Sequence, residues 1–162
     1  MASSKHCAFY DGDRYVVADS IGHQLFSLMT MIRREVEARM AKHDLTDAQW
    51  KPLMYLKMGR ASTAIELARE MDIDAGAVTR MVDRLEAKGM IERARSDEDR
   101  RVVNLRLTRS GEAIAEQVPH ILAAVNNDFL RGFSETEWKQ LRKLLARLTA
   151  NGVALQTEST EA

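Results

Sequence analysis

Residues 64–108 read AIELAREMDIDAGAVTRMVDRLEAKGMIERARSDEDRRVVNLRLT, and the order of elements in this stretch decides the fold. Thr63, just before it, and Glu66 have the spacing of a capping box, in which each side chain satisfies a free amide at the start of a helix. A short helix carrying Ile65, Leu67, Ala68 and Met71 follows. Asp72-Ile73-Asp74 makes a turn, and Asp74 suits the N-cap of a second helix, Ala75 to Lys88, which Gly89 ends. On that helix Val78, Met81, Val82 and Leu85 form one apolar stripe, and Gly76, Thr79, Arg80, Asp83 and Ala87 lie opposite it. Met90 to Arg95 and Val102 to Leu107 read as short strands, the second with the alternation of a half-buried strand, and Ser96 to Arg101 is a charged loop between them. Helix, turn, helix and charged hairpin in that order outline a winged helix-turn-helix.

The flanks are helical. From about Tyr15 to Lys42, apolar Val17, Ile21, Leu25, Leu28, Ile32, Val36 and Met40 recur at helical spacing. Thr46 and Gln49 form another capping box, opening a helix with Leu53, Leu56 and Trp50 facing inward and Gly59 closing it. Thr108 or Ser110 starts a long helix through Ile114, Val118, Ile121, Leu122, Val125 and Phe129. A third box, Ser134 with Glu137, opens a last helix that turns Trp138, Leu141, Leu144, Leu145 and Leu148 inward. The expected fold is mainly α, about six helices with a two- or three-stranded wing sheet. Its segments are a flexible arm over 1–14, a dimerisation helix over 15–44 and a winged helix-turn-helix over 45–109. C-terminal dimerisation helices over 110–152 and a disordered tail over 153–162 complete it.

Composition sets limits on function. The 162 residues are 45% hydrophobic and 30% charged, an ordinary globular balance for one domain with extensions. The formal net charge is zero, so any argument for nucleic acid rests on where the charges sit. Between Arg80 and Arg109 there are nine basic residues and six acidic ones, a local excess of three in a neutral chain, which favours site-directed over indiscriminate DNA binding. The one cysteine, Cys7, rules out an internal disulfide and a cysteine-based zinc cluster. His6, His23, His43 and His120 are scattered, with none at ligand spacing to another His or Cys, so neither a metal nor an enzymatic constellation is expected, nor any cofactor. Apolar runs are too short to span a bilayer, and MASSKHCAF lacks the apolar core of a signal peptide, so the expected location is cytoplasmic.

The outward face of the second helix of the motif is small, polar and basic near its start. A helix entering the major groove needs that shape, because bulky side chains would hold its backbone away from the bases. Gly76 costs roughly 1 kcal/mol relative to Ala inside a helix, which is easier to understand where something approaches closely. Arg80 and Arg84 have a plainer reading as exposed arginines on a solvated face; within this motif, contact with DNA is favoured.

LTDAQWKPLMYL and then ELAREMDIDAGAVTRMVDRLEAKGMIERARSDEDRRVVNLRLTRSG resemble the MarR family of bacterial transcriptional regulators, continuously from about Leu45 to Gly111. The most specific part is VTRMVDRLEAKGMIER, followed by Asp99-x-Arg101 in the wing and Leu107-Thr108-x-x-Gly111. The resemblance implies a homodimer whose first and last two helices interlock. It maps base or phosphate contacts on Ala75, Gly76, Ala77, Thr79, Arg80 and Arg84. It also maps a minor-groove arginine on Arg101, flanked by Arg100 and oriented by Asp99. Such a dimer reads a pseudo-palindromic operator in double-stranded DNA with half-sites about one helical turn, ~10 bp, apart. His23, Ser27, Met31, Arg33, Trp50 and Met54 fall on the helices that line the effector cleft of similar proteins. A small aromatic carboxylate or phenol is the expected ligand, with core or dimer packing as the competing role for these residues.

The leading reading is a ligand-responsive dimeric regulator, a repressor released from DNA by its effector. An effector-free winged helix with an architectural role is the alternative in a different class. A redox-responsive regulator using Cys7 stands third, because Cys7 lies well before the helix that carries the sensing cysteine in the oxidant-sensing branch of the family.

Overall fold

The computed structural model describes residues 8–95 and 102–160. Cys7 and the wing-loop residues Asp99, Arg100 and Arg101 lie outside the described residues. The elements run α1 (Ile21–Met40), α2 (Asp47–Lys57), α3 (Ala64–Met71), α4 (Ala75–Ala87), β1 (Ile91–Arg95), β2 (Val103–Leu107), α5 (Arg109–Phe129) and α6 (Glu135–Thr160). Six α-helices and one antiparallel strand pair make the mainly helical winged helix-turn-helix that the sequence outlines. In the pair, Ile91 faces Leu107 and Arg95 faces Val103. A one-residue bridge between Thr63 and Asn104 adds a rudimentary third strand, with the Leu105 amide donating to the Ser62 carbonyl at 2.7 Å.

Local signals act where they were expected. The Gln49 side chain takes the Thr46 amide at 3.2 Å. Glu66 takes the Thr63 amide at 3.1 Å and Thr63 Oγ1 takes the Glu66 amide at 3.2 Å. Ser62 also gives Glu66 its amide and hydroxyl, at 2.6 and 2.9 Å, and these donors hold the carboxyl below the ordinary glutamate range, the Ser62 amide foremost. Ser134 and Glu137 close the third box, and the Ser134 amide is the main cause of a lowered Glu137 pKa. Asp72 ends α3 with φ +52°, a left-handed conformation that Asp tolerates better than most residues.

Several expectations need correction. The first helix begins at Ile21 rather than Tyr15, because Ser20 is its N-cap: Ser20 Oγ accepts from the His23 amide at 3.2 Å. Val17 fits the helical period but lies in a single 3₁₀ turn, Val17–Asp19. The described part of the arm is tied down as well. Tyr10 Oη accepts from the Ile21 amide at 2.9 Å, and the Tyr10 and Tyr15 rings pack with centroids 5.5 Å apart. Ile65 points to solvent at 80% exposure, and Leu67 alone of the α3 set is fully buried. At the far end the chain stays helical to Thr160, through most of the segment expected to be a disordered tail. No proline interrupts it, and the Thr157 and Ser159 hydroxyls donate to carbonyls one turn back.

The chain divides into two compact units, Met1–Val125 and Asn126–Ala162. The core of the first gathers Met40, Leu53, Leu67, Val78, Val82, Leu85, Ile91, Leu105 and Val118, all at most 5% exposed. Two apolar stripes lie outside any core. On α1 only Val36 and Met40 are buried, whereas Ile21, Leu25 and Leu28 are exposed. On α6, Trp138, Leu144, Leu145 and Leu148 were expected inward yet are also exposed in the single chain.

Candidate nucleic-acid interface

The helix α4 is held on three sides, which leaves its fourth side open. Asp74 caps it, its carboxylate taking the Ala77 amide at 2.8 Å. At its far end Lys88 donates to the backbone carbonyl of Asp44 and pairs with the Asp44 carboxylate at 3.0 Å. Gly89 turns the chain with φ +65°. There Thr108 makes a joint with α5: its hydroxyl donates to the Gly89 carbonyl at 2.6 Å and accepts from the Gly111 amide at 3.1 Å. The Thr108 amide donates to the Met90 carbonyl at 3.1 Å. A β-carbon on Gly111 would lie 1.8 Å from that same carbonyl oxygen, so only glycine lets α5 pass. The Leu-Thr-x-x-Gly motif is therefore a mechanical joint between α4 and α5.

The open side carries the residues expected to meet DNA. Ala75, Gly76, Thr79, Arg80 and Arg84 are exposed, and Ala77 is half-buried. A β-carbon at Gly76 would meet nothing but the Asp74 carboxylate at 3.1 Å, so space beyond it is free. The Thr79 hydroxyl donates back to the Ala75 carbonyl at 2.9 Å. Among the described residues Arg80 and Arg84 have no hydrogen-bond or ion-pair partner. The two acids beside them are occupied. Arg93 of β1 donates Nη2 to Asp83 Oδ1 at 2.5 Å and Nη1 to Glu86 Oε2. These contacts, the Asp83 hydrogen bond first, raise the already high pKa of Arg93. Sequence reasoning counted Arg93 as one basic residue among nine and missed this role; its place in the strand directly after α4 was the available clue.

A second feature lies elsewhere in the same unit. Between α1, α2 and α5 is a hollow of about 540 Å³, lined by Phe26, Met29, Thr30, Ile32, Arg33, Val36, Trp50, Lys51 and Leu122. Of the residues expected there it takes Arg33 and Trp50. His23, Ser27 and Met31 lie on a different side of α1, roughly a third of a turn round at ~100° per residue. The reason is the direction in which α1 packs: Val36 and Met40 bury one side, and Phe26, Met29 and Arg33 extend it. His23 and Ser27 face each other instead, with Nε2 and Oγ 3.5 Å apart. Met54, one turn beyond Trp50, is outside the lining. Further along the same helix, Arg39 Nε pairs with Glu35 Oε1 at 2.9 Å. Among the described residues no group of three or more His, Cys, Asp or Glu is placed to hold a metal, and no helix is long and apolar enough to cross a membrane.

A model of the MarR family matches residues 45–103, from the start of α2 into β2. Among solved structures, the reduced form of MarR from E. coli is 29% identical, with 80% of this chain and 96% of that one covered and a TM-score of 0.72. A mutant MarR from E. coli complexed with operator DNA is 30% identical over 78% and 91% of the two chains, with a TM-score of 0.68. The YusO protein from Bacillus subtilis is 32% identical over 87% and 99%, also with a TM-score of 0.68. With the motif match, the shared fold and this identity over nearly whole relatives, the chain belongs to the MarR family of transcriptional regulators, which are not enzymes.

Proposed function

We propose that this protein is a homodimeric, sequence-specific DNA-binding repressor, released from a pseudo-palindromic operator when a small aromatic acid or phenol binds. The observation that carries the DNA-binding reading is the open face of α4. Its first turn is small, its acids are already paired, and Arg80 and Arg84 extend from it with no partner among the described residues. An arginine left free on such a face is available to phosphate oxygens or guanine edges. The operator complex of the E. coli relative supports the same use of the fold. From the resemblance, Arg101 reaches the minor groove with Asp99 orienting it and Arg100 beside it.

Dimerisation is supported by the exposed stripes on α1 and α6. Leu25, Leu28, Leu144, Leu145 and Leu148 on two long helices are more apolar surface than an isolated chain normally leaves in water. Effector binding is supported by the hollow, whose lining combines the basic Arg33 and Lys51 with Phe26, Met29, Ile32 and Trp50. That combination suits a ring with one anionic group. Release follows by linkage if the effector prefers a dimer whose two α4 helices are wrongly spaced for DNA.

The test is a fluorescence-anisotropy titration of the intergenic DNA upstream of the protein's own gene, repeated over a salt series. Arg80→Ala and Arg84→Ala should each weaken binding by about tenfold or more. Where the lost contact is to phosphate, the slope of log K against log salt should fall by about two ions per dimer, one from each subunit. Unchanged affinity and slope in both variants would remove the assignment of α4.

A further inference from the structure

We propose that Arg93 is a positioning residue for DNA recognition: by occupying Asp83 and Glu86 it keeps Arg80 and Arg84 free to meet DNA. The inference rests on the DNA-binding reading above and extends it to a residue outside α4.

Asp83 lies on the outward face of α4, three residues after Arg80 and next to Arg84. Residues three apart on a helix are neighbours, so an unoccupied Asp83 would pair with Arg80. It would also set a negative charge against the phosphates that the same face has to meet. Neither occurs, because the acid is already held. Arg93 is the middle residue of β1, opposite Leu105 in the register, and its guanidinium reaches across to α4. One nitrogen engages Asp83 at 2.5 Å and the other engages Glu86. The Arg93 side chain is 32% exposed, whereas Asp83 is 56% exposed. The cation is the sheltered member of the pair and its two terminal nitrogens both point at acids, so it is poorly placed to bind a phosphate itself.

The planar fork matters. A guanidinium offers N–H groups in two fixed directions and can hold two carboxylates at once, which a single ammonium does less well. Arg93→Lys should therefore recover only part of the function.

The experiment uses the full-length dimer and the same upstream DNA, titrated over a salt series, with a thermal melt for each variant to confirm folding. Arg93→Ala should bind about tenfold more weakly, and where Arg80 meets phosphate its salt slope should fall towards that of Arg80→Ala. Arg93→Lys should fall between the two, and it carries the test if Arg93→Ala does not fold. Adding Asp83→Asn and Glu86→Gln to Arg93→Ala should return the affinity most of the way to wild type, a recovery that a purely structural or direct-contact role would not give. Wild-type affinity in Arg93→Ala overturns the proposal, as does a loss that the added neutral substitutions leave uncorrected. If the wild-type protein itself binds no upstream DNA at low salt, the DNA-binding reading fails first and this proposal with it.

Discussion

Replacing Gly111 with Ala tests the joint between α4 and α5 directly. The added β-carbon would lie 1.8 Å from the Met90 carbonyl oxygen and 2.8 Å from its carbon. A carbon meets a carbonyl oxygen at about 3.3 Å or more, so roughly 1.5 Å of separation has to be found. Neither side can supply it cheaply. Met90 and Ile91 are 6% and 2% exposed, the Met90 amide is bound to the Leu85 carbonyl at 2.9 Å, and its carbonyl takes the Thr108 amide. Moving apart breaks that last bond and leaves partly buried groups unsatisfied, about 1–3 kcal/mol, with a further ~1–3 kcal/mol for overpacking. The better helix propensity of Ala returns up to about 1 kcal/mol. The net is about 1–6 kcal/mol, which for a chain of this length lowers the melting temperature by roughly 2–24 °C. Gly152 provides the control, since a β-carbon there meets nothing within 4 Å inside α6. Gly152→Ala should raise the melting temperature by up to about 3 °C. Both are measured by circular dichroism at one fixed protein concentration, because the stability of a dimer depends on it. A Gly111→Ala protein that melts with wild type would refute the close approach and the joint built on it.

Two further outcomes are expected. Glu66 has its pKa lowered by the Ser62 and Thr63 donors, so its capping contribution is fully present above the unfolded glutamate pKa and disappears as pH falls through the lower folded value. Urea midpoints of wild type and Glu66→Gln should thus differ near neutral pH and converge as the pH falls below the ordinary glutamate pKa of about 4.3; a gap that stays constant with pH would dismiss the carboxylate's role. An aromatic carboxylate that fills the α1–α2–α5 hollow should raise the melting temperature, by about 2.7 kcal/mol of stabilisation at a hundred times its Kd. Arg33→Ala should abolish that shift while leaving the unliganded melt within about 2 °C, and an equal shift in both proteins would place the ligand elsewhere.

The parts of the fold that were legible in the sequence are those decided within one turn of chain. Thr63 with Glu66, Asp74 with Ala77, and Gly89 at the end of α4 each act on neighbours three residues away or on their own backbone, so spacing alone reveals them. What stayed hidden depends on groups brought together by folding. Val17 obeys the period of α1, but the Ser20 cap and the Tyr10 hydroxyl decide where the helix begins. His23, Ser27 and Met31 have the chemistry of a ligand site, yet Val36 and Met40 orient α1 so that Phe26 and Met29 face the hollow. Arg93 shows the same limit at the proposed DNA-facing surface: its charge is plain in the sequence, and its proposed role depends on which acids stand across the turn. The wing contacts expected from Asp99, Arg100 and Arg101 rest on the family motif, and α4 carries the structural argument.

The contacts around α4 also restrict how the proposed effector could act. The helix is joined to α5 through Thr108 and Gly111, to β1 through Arg93, and to the turn after α1 through Lys88 and Asp44. Turning α4 by itself would break all three sets at once, and charged hydrogen bonds cost about 1.5–3 kcal/mol each to lose. A ligand coupling of the usual size, about 1–3 kcal/mol, is too small for that. Within the proposed dimer the less costly response is to move α4, the wing and the start of α5 together. The effector would then change the spacing between two intact DNA-reading units and leave the shape of each unaltered.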